Sequence, residues 1–224
     1  MVRPQALRAS LFALLFLAFG LVGCRGPGPI QDPTLLIEGN GGAELGVNTD
    51  YGILFLGRRS RAGKVAITAW FGDGPSLEMT VVEPVGGGIY TAETEIRLPS
   101  IPLTFVSPDP GTEVLVGGRS GNSRWFAEAY VATDPRVRAG ILLGLGPATR
   151  LTGDQVGAPV FIKNPYGDWR CLGVVSGRIR LGADGEEVEY LTVLGPESTW
   201  RLVGHRRSVE RRRRWVYRED ILPG

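Results

Sequence analysis

From residue 35 to residue 194 the chain seldom runs more than roughly fifteen positions without a cluster of turn residues, and that punctuation argues against long helices. Between the clusters lie short apolar or alternating runs at 35–38, 51–57, 64–71, 77–83 and 89–98, bounded by GNGG, GRRSRAG, GDGPS and VGGG. These are candidate strands of a first β-unit. The stretch LPSIPLTFVSPDPG at 98–111 carries too much proline for a helix or a central strand and is expected to cross between units. Further runs follow at 113–118, 124–132, 137–145, 158–163, 171–179 and 188–194. In 124–132, Trp125, Ala127, Ala129 and Val131 alternate with Arg124, Phe126, Glu128 and Tyr130, which predicts a strand with one buried face. Pro196 then opens the helically spaced PESTWRLV at 196–203, a short terminal helix with proline in its first turn. The 33 glycines and 16 prolines have no period, so the expected class is all-β.

The first residues stand apart from that pattern. Arg3 and Arg8 precede an apolar run from residue 9 to residue 22, which ends at Gly23 and Cys24. At about 14 residues, roughly 21 Å as a helix, the run is short for a hydrocarbon core of about 30 Å. It reads as a signal peptide over 1–23. Leu21-Val22-Gly23-Cys24 resembles the bacterial lipobox, which implies cleavage before Cys24 and acylation of its sulfur and new amine. Two or more acyl chains hold a protein at a membrane surface where one does not. The expected location is therefore the bacterial envelope, with Gly- and Pro-rich residues 24–34 as a tether. Cys171 is then the one remaining cysteine, so the mature domain has no internal disulfide, and WRCLGVVSG marks it as a small buried side chain. A single free thiol and the single histidine, His205, leave no Cys/His metal cluster. No glycine-rich phosphate loop follows a strand and opens a helix, and no cofactor is expected.

Residues 151–161, LTGDQVGAPVF, resemble the Gly-Asp-Ser-Gly turn at which a trypsin-like serine protease presents its nucleophile. Residues 64–71, KVAITAWF, resemble the strand ending in Leu-Thr-Ala-Ala-His. There Ile67, Thr68 and Ala69 match, and Phe71 stands in the histidine's place. LGVVSG at 172–177 looks like the Gly-Val-Val-Ser strand that lines the specificity pocket, and EYLTVLGPESTWRL at 189–202 is similar to the last strand and its helix. The likeness runs from about residue 49 to residue 203 and is carried by these local matches. It implies a chymotrypsin-like fold of two six-stranded antiparallel β-barrels with a short C-terminal helix. The first barrel would span 35–100, the second barrel with its helix 111–204, and an Arg-rich tail 205–224.

The same resemblance places no catalytic triad on this chain. The nucleophile position falls on Val156, or on Gln155 if the extra residue is placed differently, and neither carries a hydroxyl. The acid position in AETEIRL falls on Ala92 or Thr94. In this fold the triad runs His, Asp, Ser along the chain, and His205 lies beyond the nucleophile turn. The expectation is a pseudoprotease that binds peptide or protein, with Asp154, Val175, Ser176 and Gly177 as candidate contacts. A serine-type hydrolase of weak or unusual activity is the alternative. So is a membrane-surface scaffold acting through the tail, where seven arginines between Arg206 and Arg218 face the single Glu210 while the whole chain carries only +2. Arg206, Arg207, Arg211, Arg212, Arg213 and Arg214 would meet anionic lipid or polymer, and nucleic acid is not an expected partner at an exported surface.

Overall fold

In the computed structural model, the described residues are 32–219 apart from 62–67, 71–76, 80, 94–97, 121–122, 138–139, 147–148, 150, 152–154 and 184–185. Gln31–Gly224 forms one contact unit that contains both hydrophobic cores.

The first β-unit begins with a hairpin. β1 (Thr34–Gly39) and β2 (Gly42–Thr49) pair antiparallel around Asn40 and Gly41, with Gly39 opposite Gly42. Glycine is required here by close approach, since a Cβ at Gly39 or Gly41 would run into the carbonyls of Ser60 and Arg59. β3 (Gly52–Phe55), β4 (Thr68–Trp70), β5 (Leu77–Glu78), β6 (Val81–Gly86) and β7 (Ile89–Glu93) complete a seven-stranded sheet of order β5-β4-β1-β2-β3-β7-β6. Leu35, Ile37, Ile53, Phe55, Met79 and Ala92 form its core. The five runs read from the sequence become seven strands in two ways. Residues 42–49, GAELGVNT, make a strand whose buried face includes the charged Glu44, and the run 77–83 divides into two short strands around Met79.

β8 (Glu113–Ser120), β9 (Ser123–Ala132), β10 (Ile141–Leu145), β11 (Pro159–Lys163), β12 (Trp169–Ala183) and β13 (Glu186–Leu194) close into a six-stranded barrel of order β10-β13-β12-β11-β8-β9. β9 follows the expected alternation: Ala127, Ala129 and Val131 are buried, whereas Arg124, Phe126, Glu128 and Tyr130 face solvent. Leu45 of β2 enters the barrel's core cluster alongside Val116, Val160 and Val175, so apolar burial ties the two β-units together.

The proline-rich segment crosses between them as its composition implies. Ile101 bridges in parallel to Thr49 of β2, and Leu103 to Cys171 of β12. The Asn48 amide holds the carbonyls of Leu98 and Pro99 at 3.2 and 2.9 Å.

The helix, α1 (Pro196–Glu219), starts where the sequence suggests, with Pro196 in the first turn and the Gly195 carbonyl accepting from the Ser198 and Thr199 amides. It continues well past Val203 and takes in most of what reads as a tail. Residues 205–219 contain no glycine or proline, and arginine is a strong helix former. Buried Leu202 and Val203 seat the helix, while an Arg206–Glu210 pair one turn apart (3.1 Å) supports its middle. No helix among the described residues is long and apolar enough to cross a membrane.

Candidate functional site

The end of LTGDQVGAPVF is clamped between the two β-units. From the first sheet, the Leu45 amide donates to the Val156 carbonyl at 3.0 Å. From the barrel, the Val175 carbonyl accepts from Gly157 at 2.8 Å, and the Val175 amide donates back to Ala158 at 2.8 Å. Gly157 has φ +82°, and a Cβ there would run into the Leu45 carbonyl, so both conformation and space demand glycine. Gln155 is only 2% exposed, and its Oε1 accepts from Arg178 Nη2. Arg178 Nη1 reaches Glu189 at 2.8 Å. Residues 155–158 offer an amide and apolar side chains and no hydroxyl, thiol or imidazole. Asp154 and Thr152 lie outside the described residues.

Beside this turn runs β12, whose register against β13 shifts between Val175 and Gly177. The shift leaves Ser176 as the bulged residue. Its hydroxyl bonds the Thr192 carbonyl at 3.1 Å and shares a 2.9 Å hydrogen bond with the Thr192 hydroxyl, so it is engaged within the barrel wall. Its carbonyl accepts from Arg58 Nη1 at 2.5 Å. Val175 is buried in the barrel core, and Gly177 pairs with Thr192. β11 covers β12 from Trp169 to Val174, and the hydrogen bonds of Val175 with the Gly157 amide and the Ala158 carbonyl extend that cover to Val175. From 176 to 183 the β11 side of β12 has no ladder partner among the described residues.

Arg58 follows β3, and a carboxylate fixes its backbone. Glu44, 4% exposed on β2, accepts from the amides of Arg58 (3.3 Å) and Ser60 (3.4 Å) and from the Ser60 hydroxyl (2.5 Å). A buried carboxylate is tolerable only with donors of this kind around it. Sequence reasoning missed both residues. Arg58 sat in a presumed surface turn, GRRSRAG, and nothing in spacing joins it to a carbonyl 118 residues away.

Phe71 and Thr94 lie outside the described residues. The strand that precedes Phe71, β4, pairs with β1 and β5, and among the described residues Leu45 reaches the turn and Arg58 the neighbouring β12. On β7, Ala92 stands opposite Ile53 and packs in the first sheet's own core, because the β3–β7 register points it inward. His205 sits on α1, with Nε2 2.6 Å from Glu83 Oε2 of β6.

Among the described residues, no group of three or more His, Cys, Asp or Glu could hold a metal. Cys171 is fully buried against the Gly173 carbonyl (3.5 Å), and desolvation pushes its thiol up to about 12. It is a packing residue, inert as a nucleophile. A cavity of about 740 Å³ lies elsewhere on the barrel, lined by Glu113, Glu128, Tyr130, Lys163 and Trp169 among others.

No protein-family model matches the sequence, and no curated protein matches it. Solved structures do. Kallikrein-related peptidase 10 superposes with a TM-score of 0.57 at 14% identity, over 76% of this chain and 94% of that one. The active form of the Rv3671c protease from M. tuberculosis gives 0.55 at 16% identity, over 77% and 80%. A human pathogenic astrovirus serine protease gives 0.52 at 14% identity, over 74% and 91%. Identity this low speaks to architecture alone, and with the closed barrel, the second sheet and the terminal helix it establishes that the chain has the chymotrypsin-like fold of the trypsin-like serine proteases.

Proposed function

We propose that this chain is a non-hydrolysing protein on a protease fold, held at a bacterial envelope membrane through acylated Cys24, and that its cleft binds an extended peptide or protein segment. The observation that carries this reading is the pairing of a strand edge at 176–183, which has no β11-side ladder partner among the described residues, with a turn whose residues 155–158 carry no hydroxyl, thiol or imidazole. Chains add to such edges through backbone hydrogen bonds, which need no catalytic residue. Proteolysis by the usual mechanism needs a base beside the nucleophile, and the chain's single histidine is bonded to Glu83 on the outer strand of the first sheet.

A serine-reactive fluorophosphonate tests the loss of chemistry. The purified chain is expected to take no label at concentrations that saturate trypsin, and stoichiometric labelling of any serine in the fold would overturn the reading. A photo-crosslinking residue at Ile179, on this edge of β12, tests the binding half. Captured peptide should map to 176–183, and crosslinks confined to other faces would remove the cleft from the proposal.

A further inference from the structure

We infer that the cleft selects a peptide by its free C-terminal carboxylate and that Arg58 is the anchor; this deepens the peptide-binding reading and rests on it. The stretch of β12 without a β11-side ladder partner among the described residues is closed at one end. Past Ser176, the backbone groups of Val175 exchange hydrogen bonds with Gly157 and Ala158, so a strand laid along 176–183 has to stop or leave the sheet at Ser176. The Arg58 guanidinium stands at that point, with Nη1 on the Ser176 carbonyl.

The contact bears on what the strand can be. An internal residue would bring a backbone N–H toward the Ser176 carbonyl and meet a donor already in place. A chain terminus brings an anion, for which the planar guanidinium fork is suited to a two-pronged grip. Among the described residues, Arg58, Arg178 and Arg180 supply cations along this edge, and Arg178 and Arg180 both reach Glu189. Arg58 itself is largely exposed, whereas the carboxylate that fixes its backbone is buried, so the arginine is presented to the cleft from a rigid base.

The test uses the full chain in mild detergent and a random decapeptide pool without Asp or Glu, made once with free carboxyl ends and once as C-terminal amides. At low salt, retention of the free-acid pool should exceed that of the amide pool at least tenfold. Arg58→Ala should erase the difference, and Arg58→Lys should keep part of it, with both variants still folded by circular dichroism at the assay temperature. Equal retention of the two pools, or a difference that survives Arg58→Ala, overturns the carboxylate inference and leaves peptide binding standing. Retention of neither pool overturns both.

Discussion

Gly157 shows how much one residue of the altered turn determines. Its positive φ and the Leu45 carbonyl beside it each exclude a side chain. A methyl group there must push the turn off β2 or force the backbone into a strained well. Gly157→Ala is expected to destabilise the fold by about 2–4 kcal/mol, combining conformational strain with overpacking. Chemical denaturation midpoints would measure it, and a loss under about 0.5 kcal/mol would mean that the clamp between the β-units is not rigid. The glycine was legible as part of Gly-Ala-Pro, a turn feeding a strand. Its second role, as the site where the first sheet touches the turn, was not, since Leu45 is remote in sequence and lies in a strand the spacing did not reveal.

Among the elements, β2 accounts for most of what sequence reasoning lost. Its eight residues include Gly42, Gly46, Asn48 and a buried glutamate, so neither β-propensity nor clean alternation marks it, yet it lies between β1 and β3 and carries Leu45 and Glu44. The barrel strands were legible because one face is apolar at every second position, as in β9. Glu44 tests the value of the missing strand. Glu44→Gln keeps the shape but weakens three hydrogen bonds that fix residues 58–60. Charge-assisted hydrogen bonds contribute about 1.5–3 kcal/mol each, but a glutamine oxygen can still accept, so a loss of about 1–3 kcal/mol in total is expected. It should come with weaker retention of carboxylate-ended peptide by Arg58. Unchanged stability together with unchanged retention would show that Glu44 does not position the loop.

At the scale of the molecule, α1 joins the fold to the arginine run. Its buried side seats Leu202 and Val203, Arg206 donates to the Asp50 carbonyl, and the same helix includes Arg207 and Arg211 to Arg214. Near its start, Trp200 is 55% exposed, with its ring 5.1 Å from Phe105, next to Val106 at 74%. An exposed indole and a run of arginines on one helix suit an anionic headgroup layer, where each arginine near the surface contributes about 1 kcal/mol. A chain beginning at Gln31 should therefore bind phosphatidylglycerol vesicles and ignore phosphatidylcholine ones. Binding should fall at least tenfold on removal of residues 206–224 and fall again in 0.5 M salt; vesicle binding indifferent to both changes would dispose of the electrostatic role. Local spacing was enough to set the strand-rich class, the crossover at 98–111, the barrel strands and the start of α1, because turn chemistry and two-residue periodicity act over a few neighbouring residues. The partners of the site depended on the folded chain. Arg58 meets Ser176, Leu45 meets Val156 and Ala92 turns into a core only once the register of two sheets is settled by burial of their apolar faces, and no local pattern encodes a contact that long-range packing creates.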